Sequence, residues 1–208
     1  MERLFTEPGI WSGGYYEMKL FLGSTSSSRI EGALTAFWTS PQVTGPYQSR
    51  DVEPAQQVRS EAPLSPEGHL YGTVMIRDGI ETPCATYTHR EEDRDGTRVA
   101  DFVSFYIPLS ALSRLYPVGG YPFGDHVSAA SWRSQVDEWL LELLRGLNER
   151  LQFEVGVIGW EPELWAENIE EVKAATDDPN RFNGIVLRKA GEIRWYPATR
   201  FDIIKLPK

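Results

Sequence analysis

A chain of 208 residues, 41% of them hydrophobic, can bury a substantial core as one domain of generous size or as two small, intimately packed ones. Its net charge of −9 argues against sequence-independent nucleic-acid binding, which draws on Lys and Arg neutralising phosphates. A single cysteine, Cys84, excludes an internal disulfide and a cysteine-based zinc site, and no apolar run approaches the roughly 18 residues of a membrane helix.

The opening residues, Met1 to Pro8, lack a basic segment followed by an apolar one, so the cytoplasm is the expected location. Tyr15–Leu22 alternates Tyr16, Met18, Leu20 and Leu22 with more polar positions, as a half-buried strand does, and Gly23 ends it. Ser26 to Ser28 offer N-caps for a helix over 28–39, with Ile30, Leu34, Phe37 and Trp38 on one face and Pro41 as its stop. From Pro41 to Gly68 no periodicity is sustained, and a loop of that length is usually functional or disordered. Three strands follow, Leu70–Ile76, Thr82–Thr88 and Val99–Ile107, the first two joined by the hairpin signal Asp78-Gly79 and the outer ones expected to lie adjacent and antiparallel. The clearest helix runs from Ser128 to Arg150, with Val136, Leu140, Leu143, Leu144 and Leu147 along its apolar face, widened by Trp132 and Trp139. A strand over 153–160, a helix over 162–172 and a hairpin pair, 184–189 with 192–197, complete the chain.

These elements predict an α+β fold, a mostly antiparallel sheet with helices packed on one face, in a single domain spanning 1–208. A short similarity between 72–79 and 184–191, each opening a hairpin, raises a pseudo-duplicated strand–helix–strand–strand unit with halves 1–98 and 99–208.

Catalytic signatures are absent: there is no G-x-S-x-G, no Walker-type loop, no G-x-G-x-x-G after a strand and no H-E-x-x-H. The expectation is therefore a non-enzymatic protein without cofactor or metal. His126 beside Asp125 is the one histidine with an adjacent carboxylate, a general-base pair only if the two side chains point the same way. Cys84 lies in a strand-like run and reads as a small core residue.

Charge is unevenly placed. Ser131 to Asp178 carry 12 acidic and four basic side chains, whereas residues 179–208 carry seven basic and two acidic ones. Within the acidic stretch Trp165, Ile169 and Val172 form one helical face, while Glu163, Glu167 and Glu170 repeat the same spacing on another. Like charges so spaced cost about 0.2–0.5 kcal/mol per pair, so folding does not call for the row; a basic partner would, and a solvated, solubilising face is the plainer alternative.

Two stretches, Trp11-Ser12-Gly13-Gly14-Tyr15-Tyr16-Glu17 and the pattern of Ala33, Leu34, Ala36, Phe37, Trp38, Pro41, Val43, Gly45, Tyr47, Arg50, Asp51, Glu53 and Pro54, resemble the opening of the immunity protein 52 family. Its members are antidotes encoded beside toxins of bacterial polymorphic and type VI secretion systems. The resemblance covers about the first quarter of the chain and implies a cognate nuclease toxin as protein partner, neutralised by direct binding, with neither nucleic acid nor membrane contacted. An acidic protein can be steered to a basic nuclease cleft and occlude it, with Glu163, Glu167 and Glu170 as first contacts and Asp51 and Glu53 as second ones. The alternative is a small-molecule-binding module whose pocket is lined by Trp11, Tyr47, Tyr121 and Trp195 around a buried carboxylate such as Glu154 or Glu161. A hydrolase using His126 is the third reading.

Overall fold

Apolar side chains at every second position of Tyr16 to Leu22 require a strand with one face in a core, and that strand is the centre of the molecule. The computed structural model describes residues 3–61, 64, 68–77, 79–92, 98–122 and 129–201. The elements are β1 (Tyr15–Gly23), α1 (Ser27–Trp38), β2 (Val43–Tyr47), β3 (His69–Arg77), β4 (Ile80–Glu92), β5 (Arg98–Pro108), α2 (Leu109–Leu112), α3 (Ala129–Leu147), β6 (Val155–Trp160), α4 (Ile169–Ala174), β7 (Gly184–Lys189) and β8 (Glu192–Tyr196). The strands form one sheet, ordered β2-β3-β4-β5-β1-β6-β7-β8, antiparallel at every pairing. The α+β class is as expected.

On the front face Met18 and Leu20 of β1, Val103, Phe105 and Ile107 of β5, and Ile158 of β6 pack against α1 and α3. From α3 come Trp132, Val136, Trp139, Leu140, Leu143, Leu144 and Leu147, all buried as the periodicity demands. Cys84 is a buried core residue here, its thiol pKa pushed well up by burial. The start of α1 is held otherwise than expected. No side chain caps it; instead the buried Asp101 carboxylate accepts the Ser26 N–H at 2.6 Å and pairs with Arg90 at 2.6 Å.

Arg133 lies at the front core's edge, fully buried and enclosed by the rings of Tyr16, Tyr121, Phe182 and Phe201. It donates to the carbonyls of Phe182 and Arg200 and to the Tyr16 hydroxyl, which in turn donates to Asp137 at 2.5 Å. One side chain thus ties α3 to the chain on both sides of the β7–β8 hairpin.

Four expectations change. The short α4 packs on the opposite, back face, with Ile169 and Val172 over Phe102, Val155, Val157 and Ile185, so the helices are not confined to one side. The outer strands of the 70–107 group are separated by β4. The unpatterned stretch from Pro41 contains β2, whose register against β3 shifts between Thr44 and Tyr47, which breaks the alternation a sequence pattern needs. The two similar segments begin on strands second from opposite edges of the sheet, yet β3 leads inward to β4 and β7 outward to the edge strand β8. What those segments share is a slot: a side chain at Gly72 would strike Trp38 and the Thr44 carbonyl, and one at Gly184 would strike the Trp195 indole. Gly72→Ala is accordingly expected to lose about 1–3 kcal/mol in urea unfolding by overpacking against Trp38 and the Thr44 carbonyl; an unchanged urea midpoint would show that both Trp38 and the β2 backbone can move aside.

Candidate functional site

The back of the sheet is covered at one end by α4 and its flanks and at the other by the N-terminal segment, where Phe5 and Trp11 pack on Tyr47 and Tyr71. Between them the register brings polar and aromatic side chains into rows. One row crosses from Gly159 to Glu17, Tyr106, Ala85 and Tyr71; the next from Val157 to Lys19, Ser104, Tyr87 and His69; the third from Val155 to Phe21, Phe102 and His89. Tyr15 packs at a tilt against Tyr106 with 4.5 Å between ring centroids, Tyr87 lies 6.0 Å from Tyr106, and His69 Nδ1 is 2.7 Å from the Tyr106 hydroxyl.

Two opposite charges are buried in this strip. Glu17 is 5% and Lys19 4% exposed, although they are two residues apart on β1. Burial pushes the Glu17 carboxyl up to about 7, with the Glu161 charge raising it further, against the opposing effects of Ser104, Lys19 and Tyr87. The Lys19 pKa is lowered by burial, against the pull of Glu17, Glu91 and Glu163. The Lys19 ammonium sits 3.9 Å from the centroid of Trp165, a cation–π contact on the side away from the tyrosines. At the far end, Arg50 and Asp51 border the strip: burial and the Arg50 charge lower the His69 pKa, while Asp51 is among the groups raising that of Tyr71.

The acidic segment is built differently from an amphipathic helix over 162–172. Glu161 takes a left-handed turn, φ +38°, with its N–H bonded to the Tyr15 carbonyl, and directs the chain from β6 onto the back face. Leu164 is then fully buried in extended chain, the Ala166 N–H is taken by the Glu91 carboxylate at 2.9 Å, and Asn168 Oδ1 accepts the Trp165 N–H. These contacts outweigh helix propensity until Ile169. Glu163 therefore lies outside any helix, Glu167 in a 3-10 turn and Glu170 at the start of α4, where it pairs with Lys173 at 2.8 Å. They do not form one helical row. All three are exposed, and Trp165, expected in the core, is 39% exposed as the lid over Lys19.

Asp51 is exposed. Glu53 is already engaged: it accepts the N–H groups of Leu4, Phe5 and Thr6 and the Thr6 hydroxyl at 2.6 Å. Burial raises its pKa, but those hydrogen bonds outweigh it and hold the carboxyl at about 2. Its observed role is to anchor the N-terminal segment. The four pocket aromatics are dispersed: Trp11 and Tyr47 stand at the N-terminal cluster, Tyr121 packs on Trp132, and Trp195 packs on the front core. Asp125 and His126 lie outside the described residues.

The residues the strip brings together that sequence reading missed are Glu17, Lys19, Tyr71, Tyr87, Ser104 and Tyr106. The available signal was a strand, Glu17-Met18-Lys19, whose polar positions carry opposite charges between apolar neighbours. No protein-family model, curated protein or solved structure matches the chain.

Proposed function

We propose that the protein is an immunity protein that binds a cognate nuclease toxin and occludes its basic cleft. The observation that carries this reading is the strip itself: half-buried Tyr15, Tyr71 and Tyr87 beside an exposed acidic rim of Glu161 and Glu163. Tyrosine supplies rigid contact area at low entropic cost, and an acidic rim steers a basic partner and sets the association rate. The resemblance of the first quarter to immunity protein 52 points the same way.

Co-expression with the toxin domain encoded beside it tests the reading: protected cells, a stable purified complex and lost DNA cleavage are expected. Replacing Glu163, Glu167 and Glu170 together by Lys should slow association about tenfold at low salt and weaken protection. A folded triple variant that associates and protects like the parent removes the acidic segment from the interface.

A further inference from the structure

Glu17 has a carboxylate oxygen, Oε2, that is buried and lacks a hydrogen-bond partner. Lys19 does not complete it, since its ammonium turns to Trp165. Ser104 Oγ, on the neighbouring row, is buried beside this carboxyl, and its hydroxyl, like that of Tyr87, favours the ionised form. On the other side Asn183 folds over Gly159, the β6 residue paired with Glu17, and its Oδ1, like Glu17 Oε2, is buried and without a partner. Glu17 Oε2 and Asn183 Oδ1 are thus buried acceptors without partners beside the paired strands β1 and β6, with the Ser104 hydroxyl beside the carboxyl, and a buried acceptor left unpaired is costly, most of all a charged one. A group that satisfies them must donate several hydrogen bonds, and the charges select its sign. Glu161 adds negative potential at the rim, and the rings of Tyr15, Tyr87 and Tyr106 border the position.

We propose that Glu17 is the receptor for one basic side chain of the protein partner, a guanidinium or ammonium held by Glu17, Ser104 and Asn183 beside the tyrosines. Arginine fits better than lysine, because its planar fork of five N–H donors can serve several acceptors while stacking on aromatic rings. That the cation comes from a protein rests on the reading above; the acceptor set does not. The groups facing Glu17 are Lys19 on its own strand, Ser104 and Tyr87 on β5 and β4, and Glu161 beyond β6. With its carboxyl at about 7, the receptor is charged above neutrality, so binding releases a proton and tightens as pH rises.

The test titrates the full chain with N-acetyl-arginine amide, using N-acetyl-citrulline amide as the neutral control, and follows the Glu17 carboxyl and the Tyr87 and Tyr106 rings by NMR. The arginine probe is expected to lower the Glu17 pKa, to shift both rings, and to bind up to about tenfold more tightly at pH 8 than at pH 6. The citrulline probe should do none of these, and Glu17→Gln should abolish the arginine response. A Glu17 pKa unmoved by the arginine probe, or equal ring shifts in parent and Glu17→Gln, overturns the receptor even if toxin protection is found. In the toxin complex, Glu17→Gln should weaken binding about tenfold or more. Probe binding with an undiminished Glu17→Gln complex, or with no complex at all, overturns the protein source of the cation; only the second of these also overturns the immunity reading.

Discussion

Arg133→Ala is expected to destabilise the protein by about 3–5 kcal/mol, the cost of removing one member of a buried, hydrogen-bonded charge network. The side chain is fully buried, and its loss strands the carbonyl of Phe182 and leaves Asp137 with the Tyr16 hydroxyl but without the nearby positive charge. Asp137 then has a still higher pKa, since the guanidinium is one of the two influences lowering it. For a chain of this length the loss corresponds to a fall of about 10 °C in Tm. A triple replacement, Arg133→Met with Asp137→Leu and Tyr16→Phe, removes the polar groups together and should recover more than half of the loss, because matched apolar groups avoid stranded charge. Urea unfolding of both variants is the check. A loss below about 1 kcal/mol for Arg133→Ala would show that the aromatic enclosure, rather than the cation, holds α3 to the C-terminal hairpin.

Stability should also fall as pH rises from acid to neutral, the reverse of the behaviour of a protein held by ion-paired carboxylates. Burial raises Glu17 from 4.5 to about 7 and Asp137 from 3.8 to about 6. Between the unfolded and folded values of each group the native state binds more protons than the unfolded chain, so the pH slope of unfolding free energy is negative there. The windows run from 4.5 to about 7 for Glu17 and from 3.8 to about 6 for Asp137. Full displacement of Glu17 corresponds to about 3 kcal/mol, of which about 2 kcal/mol is lost between pH 5.5 and 8. Glu17→Gln cannot ionise, and its urea midpoint should fall less than the parent's over that interval and exceed it at pH 8, the remaining slope coming from Asp137 at the acid end and, with opposite sign, from His69, whose lowered pKa adds stability as pH rises. A parent protein equally stable at pH 5.5 and 8 would mean that Glu17 is not desolvated in solution.

The two predictions concern opposite faces of one strand. Tyr16 points into the front core and joins the Arg133 network, whereas Glu17 points to the back and lies among tyrosines. Strand alternation makes this division, and it separates the strip from the helices that stabilise the sheet. A variant at Glu17 can therefore alter binding while leaving the α1 and α3 packing intact.

Much of the architecture was legible in the chain because it rests on local periodicity. The alternation through Leu22 located β1, the leucine stripe located α3, and the hairpin of β7 and β8 followed from its turn. The acidic segment shows where that logic stops. Its apolar and acidic spacing satisfied a helix, but Leu164 found a place on the back of the sheet and Glu91, distant in sequence, took the Ala166 N–H, so the helix begins only at Ile169. The same holds for Trp165, whose spacing predicted a core position and which instead covers Lys19.

By itself, then, the sequence determined the α+β class, the central strand, the long front helix and the excess of negative charge, all set by neighbouring residues and by composition. Tertiary structure alone decided the strand order, the placement of α4 on the back face, and the meeting of Glu17, Ser104, Tyr87 and Tyr106 from β1, β5 and β4. The physical reason is register: cross-strand neighbours are chosen by pairing between segments as distant in the chain as Tyr16 and Trp160, and no pattern within one segment records which residue will stand opposite.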